Sequence, residues 1–120
     1  MDAHQIDVLV QRLLANPNDR EALAYAHRAG AQDPQAYAAV LEKVGLASPD
    51  PAYASYWLTE AANVYATTLG DAHRTARLLM MALEKDPTYD LAAERLAQLY
   101  REKGERKALV ALLERRVKVL

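Results

Sequence analysis

Four Asx-Pro pairs punctuate the chain, Asn16-Pro17, Asp33-Pro34, Asp50-Pro51 and Asp86-Pro87, and the first three recur every 17 residues. An Asp or Asn side chain can accept the free N–H groups at the start of a helix, and proline fits the first helical position because its N–H would be unpaired there anyway. Each pair is therefore expected to open a helix. Seventeen residues hold one helix and one tight turn, and two such steps make about 34, the period of a helix-turn-helix repeat. The last step is 36 residues, which predicts one longer loop or helix.

Gly70 and Gly104 are 34 residues apart, and each precedes an acidic residue, Asp71 or Glu105, suited to the positive end of a following helix. All four glycines and all five prolines are expected to separate helices rather than interrupt them. The division predicts seven helices, at about 3–15, 19–30, 34–46, 51–69, 71–85, 88–103 and 105–120. No stretch alternates with period two and the β-branched residues are scattered, so the expected fold class is all-α.

The helices read as amphipathic. In 88–103, Leu91, Ala92, Leu96, Leu99 and Tyr100, with Ala93 and Ala97 beside them, form an apolar stripe. Leu78, Leu79, Ala82 and Leu83 do the same in the preceding helix. Helices this short depend on packing against neighbours. Phe is absent, and Leu, Ala, Val and Tyr supply the apolar content, a mixture that lets helices approach closely.

At this point the residues resemble the tetratricopeptide (TPR) family. Leu96-Ala97-x-x-Tyr100 resembles the first-helix pattern L-G-x2-Y, with Gly104 at the turn, and Ala82, Leu83 and Pro87 resemble the A-L-x3-P that closes a second helix. The likeness is clearest over residues 56–120. Ala61-Ala62-x-x-Tyr65 is similar to the first-helix pattern but has one extra residue before Gly70, implying a longer helix or an altered turn. Residues 1–50 keep only the helix rhythm, as a degenerate repeat or cap, ahead of TPR-like hairpins at 51–87 and 88–120. The resemblance implies one domain, 1–120, built as a right-handed stack of antiparallel helical hairpins. It further implies a concave groove that binds a peptide or protein segment, as in a scaffold or adaptor.

In that arrangement Thr59, Asn63 and Thr67 on one helix, and Glu94, Gln98 and Arg101 on another, would face the groove; the alternative is a solvated polar face. Some TPR proteins hold a partner's C-terminal carboxylate with Lys and Asn. Asn63 resembles the Asn, but Thr59 stands one turn earlier in place of the Lys, which speaks against that clamp. Tyr25, Tyr37, Tyr53, Tyr56 and Trp57 are candidates for an aromatic patch or for core packing, and adjacent Tyr56 and Trp57 cannot both point the same way.

The C-terminal stretch "ALVALLERRVKVL" is apolar over more of its circumference than one neighbour covers. Val110, Leu113, Val117 and Leu120 are expected to meet either a further repeat, the chain being a fragment of a longer protein, or an identical chain in a homo-oligomer. Self-assembly is thus the alternative function.

No enzyme is expected. His4, His27 and His73 lack metal-ligand spacing, and no phosphate-binding loop or nucleophile motif occurs. No cofactor is implied. With no cysteine there is no disulfide framework. Residues 1–60 carry a net charge of about −4 and residues 61–120 about +3, a balance too mild for a nucleic-acid binder. The N-terminus lacks the basic region of a signal peptide and no apolar run approaches the roughly 20 residues of a membrane span. A soluble cytoplasmic protein is expected.

Overall fold

A computed structural model describes residues 1–119. It contains seven helices: α1 (Ala3–Ala15), α2 (Arg20–Gln32), α3 (Pro34–Ala47), α4 (Pro51–Thr67), α5 (Ala72–Lys85), α6 (Asp90–Lys103) and α7 (Arg106–Val119). No strand occurs among the described residues.

Aspartates open the first five helices. Asp2, Asp19, Asp33, Asp50 and Asp71 each accept one or more backbone N–H groups from the first turn, each worth about 1 kcal/mol of helix stability. Asp2 forms a reciprocal capping box, its side chain bonding the Gln5 N–H while the Gln5 side chain bonds its own. Asp33 serves two helices at once: its N–H donates to Ala29 O, closing α2, and its side chain accepts from Ala36 N, opening α3. A single residue therefore joins α2 to α3.

Only two of the four Asx-Pro pairs open a helix. Asp33-Pro34 and Asp50-Pro51 behave as the spacing predicts. Asn16 and Asp86 instead close α1 and α5, and their prolines occupy the next position of a tight turn. In both turns the Asx side chain accepts from the N–H two residues on, Asn18 or Thr88, and its carbonyl accepts from the N–H three residues on, Asp19 or Tyr89. Proline suits this place as well as it suits a helix start, and the helices begin at 20 and 90 rather than 19 and 88.

Two glycines do separate helices. Gly104 adopts φ +69°, with Glu105 N–H bonding Tyr100 O and Gly104 N–H bonding Arg101 O, the Schellman arrangement. Gly70, at φ +64°, closes a wider turn in which Asp71 N–H reaches Tyr65 O. The extra residue before Gly70 thus enlarges the turn, and α4 ends at Thr67 instead of 69. The other two glycines contradict the expectation, for Gly30 and Gly45 lie inside α2 and α3. A Cβ on Gly30 would stand 2.7 Å from Tyr37 Cγ, so this position admits the Tyr37 ring between α2 and α3.

Each helix packs on the next, and α1 also lies on α3 and α4 on α6. The dimensions, 41 × 28 × 18 Å, are those of an elongated stack. Its continuous core includes Leu13, Val40, Val44, Leu58, Leu78, Leu79 and Leu96, with Ala22, Ala38, Ala61, Ala82 and Ala92 fully buried where helices meet. The α5 stripe is buried as expected. In α6 the buried line is Ala92, Ala93, Leu96 and Ala97, leaving Leu91 exposed and Leu99 and Tyr100 half-buried. Arg74, in the first turn of α5, reaches Glu42 of α3 at 3.0 Å and lies over the Tyr65 ring of α4, tying three successive helices. No helix among the described residues is long and apolar enough to cross a membrane.

Candidate binding grooves

The open face of α4 runs through Tyr53, Tyr56, Glu60, Asn63 and Thr67, at spacings of three and four residues. Thr59 does not belong to it. The expectation that Thr59 lines a groove is overturned: it is fully buried and its hydroxyl donates to Ser55 O at 2.8 Å. A strict four-residue step drifts about 40° per turn round a helix of 3.6 residues per turn, so Thr59 falls on the core side while Asn63 and Thr67 reach solvent. Thr67 is exposed, and its hydroxyl bonds back to Asn63 O.

The other proposed groove residues divide between two recesses. Asn63 and Gln98 come together with Arg95 and Glu102 in a recess of about 180 Å³ between α4 and α6, floored by Ala62, Ala66 and Leu79. There Gln98 Nε2 donates to Glu102 Oε1 at 3.2 Å. Glu94 and Arg101, with Gln98 again, line a separate recess of about 360 Å³ between α6 and α7, against Leu112, Leu113 and Arg116. The six residues therefore do not form one groove; Asn63 and Gln98 carry it, joined by Arg95 and Glu102.

The aromatic candidates split as adjacent helix positions require. Trp57 is in the core, and Tyr56 is exposed with its ring edge-on to Trp57 at 5.2 Å. Tyr25 and Tyr53 are exposed. Tyr37 is half-buried beside His27, their rings 5.4 Å apart. Burial raises the hydroxyl pKa of Tyr37, Tyr56 and Tyr89, and the charge of Glu60 raises all three further. Glu60 and Tyr89 had no prominence in the sequence. The signal that finds Glu60 is its place four residues after Tyr56 on the open stripe.

On α7, Val110, Leu113 and Val117 are 53%, 44% and 69% exposed; Leu120 lies outside the described residues. The inward line is Leu109, Leu112 and Arg116. Arg116 turns back to bond Pro87 O and the Asp90 carboxylate, pinning α7 to the start of α6.

A recess of about 580 Å³ lies among α5, α6 and the turn before α7, lined by His73, Arg77, Met80, Leu99 and Lys103 among others. Among the described residues no three His, Cys, Asp or Glu side chains gather as a metal site requires. No protein-family model, curated protein or solved structure is significantly similar to the chain.

Proposed function

We propose that the chain is a non-enzymatic, TPR-like interaction module, a scaffold or adaptor that takes a peptide or protein segment into the groove between α4 and α6. The observation that carries this reading is the recess shared by two helices that skip one another in sequence. Asn63 on one bank and Arg95, Gln98 and Glu102 on the other offer donors and acceptors along an alanine and leucine floor, the combination that fixes an extended segment by polar contacts over a shallow apolar track.

Selection of a displayed random-peptide library against the whole chain tests it. Peptides enriched by the wild type should be lost on a variant carrying Asn63→Arg and Gln98→Arg that keeps its helical circular dichroism. Failure to enrich any peptide, or equal binding by the double variant, overturns the reading.

A second reading is self-assembly through α7, favoured by the exposure of Val110 and Val117. Apolar side chains this open on one helix are suited to burial against a second copy.

A further inference from the structure

α5 and α7 each pack on α6 but not on one another. Two recesses lie along the space this leaves. One, of about 580 Å³, sits between the N-terminal half of α5 and the C-terminal end of α6, with Glu105 of the turn before α7 in its lining. The other, of about 240 Å³, sits where Leu83 and Pro87, at the end of α5, meet Leu112 and Val119 of α7. Ala72, Ala76 and Met80 line the first and Leu83 the second, and spacings of four, four and three place all four residues on one side of α5. The recesses therefore follow one face of α5 from end to end and together make a cleft between α5 and α7.

Ala72 and Leu83 are separated by three turns of α5, about 17 Å. Half-buried Leu99 and Tyr100 of α6 add apolar surface to the first recess, and Leu112 of α7 adds it to the second. The charge along this track is mostly of one sign. Arg77 and Lys103 at the first recess and Arg115 at the second are exposed and make no ion pair among the described residues, while Glu105 is the one carboxylate in either lining. Arg116 is already committed to Asp90.

Unpaired cations beside an apolar track favour a partner that brings carboxylates at its edges and apolar side chains along its middle. A helix supplies both from a single segment, since its apolar stripe covers the track while Asp or Glu on its flanks meets the basic rim. Ala72 and Ala76 present no bulk to hold its backbone away.

We propose that the α5–α7 cleft is a docking site for an acidic amphipathic helix of a partner protein. The cleft shares only Leu99 with the lining of the α4–α6 recess, so it is a second surface and does not depend on the groove. The apolar stripe of the helix lies on Ala76, Met80 and Leu99. Its carboxylates pair with Arg77 and Lys103 at one end and with Arg115 at the other.

The chain has three methionines, of which Met80 lines the cleft, so its methyl resonance reports on occupancy while that of Met1 serves as a reference. The whole chain, labelled at its methionine methyl groups, is titrated with an acetylated helical peptide that carries leucine at every third or fourth position and glutamate on both flanks. The Met80 signal should shift and saturate below about 1 mM. Peptides with lysine in place of glutamate, or serine in place of leucine, should leave it still. Arg77→Glu with Lys103→Glu, both exposed positions, should weaken binding about tenfold or more, and the charge-matched pair Arg20→Glu with Arg28→Glu on α2 should change it by less than about threefold. Asn63→Arg with Gln98→Arg, which alters the groove, should leave the Met80 response in place.

No saturable shift, a shift undiminished by reversal of Arg77 and Lys103, or an equal shift with the lysine peptide overturns the site. A single-stranded oligothymidylate that moves Met80 as far as the acidic peptide overturns it too, because charge alone would then suffice. Loss of the response in Asn63→Arg with Gln98→Arg would show that the cleft is no separate surface. Since that variant is also the one that tests the groove, failure of either surface is read without the other.

Discussion

Gly45 of α3 lies so close to Leu58 of α4 that a Cβ on it would stand 2.7 Å from Leu58 Cγ and 3.1 Å from the Leu58 backbone nitrogen. The first clash involves a fully buried side chain and the second a helix backbone, so neither can simply swing away. Gly45→Ala gains up to about 1 kcal/mol of helix propensity, but forcing a methyl group into a packed contact costs about 1–3 kcal/mol. The clash should win, lowering stability by up to about 2 kcal/mol once the propensity gain is offset, as read by urea denaturation. A variant as stable as the wild type would show that α3 and α4 can move apart freely.

Ser55 presents the opposite case. Its side chain is fully buried in α4, and its hydroxyl has no hydrogen-bond partner. Burying an unpaired hydroxyl carries a desolvation cost that alanine avoids, so Ser55→Ala should be neutral or stabilising by up to about 1 kcal/mol. Thr59→Ala, which removes a buried methyl group and a made hydrogen bond, should instead cost about 1–2 kcal/mol. Thermal unfolding of the two variants should move the melting temperature in different directions or leave the first unchanged. A marked loss in Ser55→Ala would mean that the hydroxyl is satisfied after all.

Asp19 gives the fold a dependence on acid. Its carboxylate accepts the Ala22 N–H and grips Arg12 through two bonds of 2.9 Å, and these contacts, the backbone one foremost, hold its pKa below the ordinary 3.8. A carboxylate with a lowered folded pKa adds stability that is complete above the unfolded value and is lost as pH falls through the folded one. Asparagine caps a helix nearly as well but carries no charge. Asp19→Asn should therefore be less stable than wild type near neutral pH, with the gap closing below pH 3.8. Chemical denaturation at a series of pH values checks this, and a gap that stays constant into acid would remove the Arg12 pairing as its source.

Much of the architecture is legible because it rests on local chemistry. Aspartate caps, the left-handed glycines and the 3.6-residue stripes act within a few residues, and seven helices follow from them with shifts of one to two residues at most ends. What was not legible depends on neighbours. Asn16-Pro17 and Asp33-Pro34 look alike, yet one makes a turn and the other a helix start, since proline is equally at home in both. Gly45 looks like a breaker until Leu58 is placed against it. Thr59 differs from Asn63 only in its angle round α4, and the 3.6-residue period, not the regular spacing, decides which one meets solvent.

The outer face of α7 leads to a last test. Val110 and Val117 are exposed, seven residues apart on one side of the helix, and Leu113 lies between them. Arg116 faces the other way, tied to Asp90 and Pro87 O, so changing the valines leaves the attachment of α7 to α6 intact. If this face joins two copies, light scattering over a concentration series should show a dimer that Val110→Lys with Val117→Lys converts to a monomer, with helicity unchanged. Two lysines placed opposite one another across a two-fold interface would be desolvated without partners, a penalty sufficient to dissociate a small contact. A wild type that stays monomeric at every concentration removes self-assembly through α7 and leaves the proposed α4–α6 groove as the reading to test.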